Sequence, residues 1–127
     1  MKLSLDYNTS KYSIEAYERD ALTINKQRYI ENLVLSPDLL IESWSPTCVQ
    51  DLAKAHILEL IDLEPEIILL GTGDSLQFPP PEMSILALQR GIGFEVMDTG
   101  SACRTFNVLA AEDRNVVAAL MLSIESN

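Results

Sequence analysis

The sequence predicts an α/β fold: a three-layer single domain in which helices pack on a central mixed β-sheet, with an N-terminal β-meander. Three observations carry this expectation. Residues 12–44 fall into short runs rich in β-branched and aromatic side chains, residues 48–124 alternate between strand-like and helix-like periodicity, and no linker, repeat or low-complexity tract separates the two. The 127 residues therefore read as one unit, β-rich over 1–46 and alternating over 47–124.

The first strands are expected in YSIEAYE (12–18), ALTIN (21–25), RYIENLVLS (28–36) and LLIESW (39–44), with Glu18-Arg19-Asp20 and Asn25-Lys26-Gln27 as the polar turns. After Ser45-Pro46, a helix-start signal, Val49, Leu52, Ala53, His56, Ile57, Leu60 and Ile61 recur at helical spacing. Gln50, Asp51, Lys54 and Glu59 are left for solvent. The apolar run Glu66–Leu70, ended by Gly71, has the character of a strand buried on both faces. A second helix is expected from Glu82 to Arg90, closed by Gly91, then a strand over 93–97, a third helix over 101–113 and a last strand over 116–124.

Composition sets limits on function. Nine Lys and Arg against nineteen Asp and Glu give a net charge of −10, a surface that repels phosphate backbones, so no nucleic-acid partner is expected. The longest apolar run, Val116 to Leu122, is far shorter than the roughly 20 residues that span a bilayer. MKLSLDYNTSKY has neither the apolar core of a signal peptide nor the Arg-rich character of a transit peptide, which predicts a cytoplasmic, bacterial protein. Cys48, Cys103 and the single His56 lack metal-ligand spacing, so no metal and no cofactor are expected.

Several motifs suggest chemistry and fall short of it. LLGTGDS begins like a dinucleotide fingerprint, yet Leu76 stands where the third glycine belongs and three prolines precede the next helix. Asp98-Thr99-Gly100-Ser101 spells the aspartic-protease tetrapeptide, but it opens a segment of helical spacing, where a capping role for Thr99 or Ser101 is the simpler reading. Cys103, beside Arg104 in a first helical turn, has the setting of a reactive thiolate without a neighbouring base; a small buried core thiol is the plainer expectation. His56 reads as a core-edge histidine, Trp44 as a packing anchor, and Arg104 and Arg114 as partners of carboxylates too far apart on one helix to chelate a single anion.

IILLGTG, the FPPPE loop, GIGFEVMDTGSACRTFNVLAAEDR and VVAAL resemble, in that order, a widespread small-protein family. It includes the mitochondrial assembly factor of respiratory complex I (NADH:ubiquinone oxidoreductase) and many uncharacterised bacterial and archaeal proteins. The resemblance implies a three-layer fold around a mixed sheet and no established reaction. For the mitochondrial relative it implies a chaperone-like role beside a partner assembly factor. The first hairpin departs from the family pattern, with Glu18-Arg19-Asp20 in place of a glycine-containing turn.

The family's recognisable positions fall on Gly71, Thr72, Gly73, Met97, Asp98, Ala102, Cys103, Arg104, Thr105, Asn107, Glu112, Asp113 and Arg114. They occupy two strand-to-helix turns and the helix beginning at one of them. If the two strands are neighbours, they border one cleft at the sheet's carboxyl edge. No catalytic set is complete, Cys103 and Asp98 being the nearest to one. The expected function is therefore a non-catalytic binding or assembly-factor-like module with a protein partner. Its expected binding residues are Gly71, Thr72, Gly73, Asp98, Arg104, Thr105, Asn107 and Arg114. The alternative is a small enzyme or a protein binding an anionic metabolite, a small anion held in the same cleft.

Overall fold

The computed structural model describes residues 10–123. Five strands and three helices form the three layers, and a small antiparallel sheet completes one of them. Strands β1 (Ile14–Glu18), β2 (Ala21–Ile24) and β3 (Gln27–Tyr29) make that meander. The main sheet contains β4 (Leu33–Ser36), β5 (Leu39–Ile41), β6 (Ile67–Thr72), β7 (Gly93–Met97) and β8 (Val116–Met121), in the order β5-β4-β8-β6-β7. It is mixed: β4 pairs antiparallel with β5 and β8, while β6 runs parallel to both β7 and β8.

Alternation along the strands divides the core. Ile68, Leu70, Val117, Ala119 and Met121 face α1 (Lys54–Ile61) and α2 (Pro81–Leu88), whereas Leu69, Val116, Ala118 and Leu120 face α3 (Thr99–Ala111) and the meander. β6 and β8 are covered on both sides, which is why their sequences are almost continuously apolar.

Turn chemistry explains the meander. Asn25 and Lys26 lie at φ 51° and 69° between Ile24 and Gln27, the left-handed pair that a two-residue hairpin loop needs. Arg19 and Asp20 connect Glu18 to Ala21 without positive φ, so the glycine missing from this turn is not required by its geometry.

Four expectations are corrected. RYIENLVLS is two strands, because the chain leaves the meander and enters the main sheet at Ile30–Asn32. Asn32 is buried there, its amide donating to the Pro46 carbonyl at 2.9 Å and its oxygen accepting from the Leu122 amide at 2.7 Å. The first helix begins at Lys54, not at Pro46: residues 49–51 form a 3-10 turn and Leu52 is extended. Helix α3 starts at Thr99, two residues early, with Asp98 as its cap in place of Thr99 or Ser101. β8 ends at Met121; Ile124, like the amino-terminal residues 1–9, lies outside the described residues.

Candidate functional site

The carboxyl ends of β6 and β7 are adjacent, Gly71 lying opposite Met97, so the two predicted turns do meet at one edge of the sheet. They meet by locking together. Thr99, wholly buried, donates its hydroxyl to the Met121 carbonyl at 2.5 Å and accepts from the Gly73 amide at 2.7 Å. A Cβ at Gly71 would lie 2.9 Å from Thr99 Oγ1 and 3.0 Å from Thr99 Cα, so a side chain there would push α3 off the sheet. Gly73 has φ +98°, and a Cβ there would also meet Ser123 Oγ at 2.7 Å. Thr72 is buried as well, its hydroxyl donating to the Ser75 carbonyl at 2.7 Å and accepting from the Gln77 amide at 3.1 Å.

Asp98 is a helix cap with both oxygens engaged: one accepts from the Ser101 amide and the other from the Ser101 hydroxyl, each at 2.9 Å. These bonds, the amide first, hold its carboxyl below the usual aspartate range, with a small contribution from Arg104. The amino end of α3 thus already carries a carboxylate, and the Asp98 tetrapeptide is a cap and first turn. Arg104 is exposed, with Nη2 donating to Ser101 Oγ at 3.2 Å. Thr105 is half-buried one residue further along α3.

Cys103 faces the core, and burial pushes its thiol up to about 12, overwhelming the opposite pull of Arg104. The core-thiol expectation therefore describes its setting better than the reactive one. Cys103 and Arg104 border a groove of about 220 Å³ between β1 and α3, together with Tyr17 and Asn107. Tyr17 packs on Gly100, its hydroxyl is buried without a hydrogen-bond partner among the described residues, and its pKa is raised by burial and then by Asp74.

Asn107 is turned toward β1: Nδ2 donates to the Ile14 carbonyl at 2.7 Å and Oδ1 accepts from the Ile14 amide at 3.0 Å. Arg114 lies at the other end of α3, paired with Glu66 at 2.7 Å just before β6, and so is not brought to the carboxyl edge. His56 accepts from the Ala53 amide at 2.9 Å and meets the Trp44 ring edge-on at 6.0 Å, a structural position at the start of α1. Among the described residues no cluster of three or more His, Cys, Asp or Glu side chains could hold a metal ion. Nor is any helix among them long and apolar enough to cross a membrane.

An apolar surface that begins at this edge and continues along α2 escaped sequence reasoning. From Gly73 the chain runs through a loop that exposes Leu76 by 51% and Phe78 by 73%, and α2 then exposes Ile85 and Leu88. The available signal was the composition of α2, PEMSILAL, which is apolar around most of its circumference although only Met83 and Ala87 are buried.

Known proteins are similar to this chain in sequence or in fold. A Xanthomonas campestris protein solved by NMR, XCC1710, is 35% identical and superposes with a TM-score of 0.84 over 100% of this chain and 97% of its own. The bovine NADH dehydrogenase [ubiquinone] 1 alpha subcomplex assembly factor 3 is 34% identical over 110 residues, 85% of this chain but 59% of the bovine protein. A Francisella tularensis protein named "13 kDa major membrane protein" is 32% identical over 79% of this chain and 82% of its own. The chain thus spans about three fifths of the mammalian assembly factors it matches. Residues 14–121 match one family model, and the chain belongs to that family, described as protein of unknown function DUF498/DUF598.

Proposed function

We propose that this protein is a non-catalytic, assembly-factor-like module that docks a protein partner on the apolar surface formed by the β6–α2 loop and the outer face of α2. The observation that carries this reading is the 73% exposure of Phe78, with Leu76 uncovered beside it in the loop and Ile85 and Leu88 uncovered along α2 as it runs back from the carboxyl edge. The name of the bovine relative, an assembly factor, supports the same role. In this reading Gly71, Thr72, Gly73 and Asp98 fix the loop that presents Phe78. Arg104 and Thr105 flank the carboxyl edge, Asn107 anchors the meander and Arg114 braces the opposite end.

The enzyme or small-anion alternative has less behind it. Its reactive thiol is protonated, and the amino end of α3 is filled by Asp98. Photo-cross-linking decides between the two readings. With p-benzoylphenylalanine at position 78, one polypeptide is expected to be captured from host extract in preference to the same label at exposed Val108, and Leu88→Asp should abolish capture. Equal capture at both positions would overturn the docking reading.

A further inference from the structure

Strand β7 is an edge. Among the described residues it pairs with β6 on one side only, so its outer side offers a row of backbone donors and acceptors without a neighbouring strand. Its side chains sort by face. Phe94 and Val96 lie on the α2 side, half-buried against that core cluster, while Met97 packs on the α3 side. Alternation places Glu95 on the α3 side with Met97, exposed and without an ion pair among the described residues.

From this edge we infer a strand-addition site for a segment of another polypeptide that alternates apolar, basic, apolar. The pattern follows from the register. A residue opposite Glu95 shares its face and meets an unpaired carboxylate, so Lys or Arg is favoured there. Its two neighbours point to the α2 side, where Phe94 and Val96 present half-buried apolar surface.

A second copy of the chain fits badly. A two-fold pairing of two β7 edges is antiparallel, and centred on the five-residue strand it sets Glu95 against Glu95. Each copy also brings a net charge of −10. The charge that opposes self-association favours a basic partner.

This inference rests on the docking reading and adds the partner's chemistry, and its test is separable. The ¹⁵N–¹H spectrum of the protein is followed during titration with two capped heptapeptides, Ser-Thr-Val-Lys-Val-Thr-Ser and the same sequence with Glu at its centre. The Lys peptide is expected to shift the amides of residues 93–97 and to bind about fivefold tighter than the Glu peptide. Glu95→Lys, a surface change whose fold is checked by the remaining amides, should reverse that order. Absence of shifts at 93–97 at millimolar peptide overturns the inference, as does an unchanged preference in the variant. A wild-type dimer with protected β7 amides in sedimentation and hydrogen exchange would also overturn it. If the label at position 78 still captures a partner, only strand addition falls; if both experiments are blank, the docking reading falls with it.

Discussion

The amide of Gly73 donates to the Thr99 hydroxyl at 2.7 Å while the Thr99 amide donates to the Gly73 carbonyl at 2.9 Å. This reciprocal pair ties the end of β6 to the start of α3, and the same hydroxyl reaches the Met121 carbonyl on β8. Thr99→Val keeps the shape and removes the hydroxyl, leaving a buried donor and a buried acceptor unmet. The expected loss is roughly 2–4 kcal/mol in denaturant unfolding, with Thr99→Ser losing about 1 kcal/mol or less. A stability equal to wild type in Thr99→Val would show that the pair does not hold the edge.

Asp98 gives acid sensitivity a definite sign. Its folded pKa lies below the ordinary aspartate value of 3.8, so the stabilisation it contributes is complete above that value and is lost as pH falls through the lower folded one. Asn can cap the same turn without titrating. Asp98→Asn is therefore expected to unfold near wild-type stability at pH 2 and to gain less than wild type between pH 2 and pH 6. Parallel stability curves for the two proteins would contradict this.

The thiol of Cys103 is expected to resist alkylation by iodoacetamide up to pH 10, because burial holds its pKa near 12. Cys48 is exposed and supplies the internal control, being accessible to the reagent in the same sample. Reaction of Cys103 at pH 7 in the folded protein would restore it as a nucleophile.

What could be read from the sequence depended on range. β6, β7, β8 and α3 were legible because burial on one or both sides imprints a period on consecutive residues, and Gly91 closes α2 at φ +74° as its position suggests. The adjacency of Gly71 and Asp98 could be posed only as a condition, since strand order is not a local property. The break at Asn32 was hidden because its partners, Pro46 and Leu122, lie 14 and 90 residues away. For the same reason Asn107 read as an open binding group: its partner Ile14 is 93 residues distant. The apolar exposure of Phe78 and Leu88 was invisible because a pattern of hydrophobic residues does not say which of them the fold leaves outside.

Asn107 offers the sharpest separation of a structural from a recognition role. Its amide meets both backbone groups of Ile14, as a neighbouring strand would, and so closes part of the outer edge of β1 against α3. Asn107→Ala removes both bonds, with an expected cost of about 1–2 kcal/mol and at least tenfold faster exchange of the Ile14 amide. Asn107→Asp should behave differently with pH. Ionised, it can still accept from the Ile14 amide but turns a second carboxylate oxygen on the Ile14 carbonyl. Protonated, it can donate again, so this variant should recover part of its stability as pH falls, the reverse of the Asp98 effect. If Asn107→Ala left Ile14 exchange unchanged while weakening partner capture at position 78, the residue would belong to the docking surface and not to the anchor of the meander.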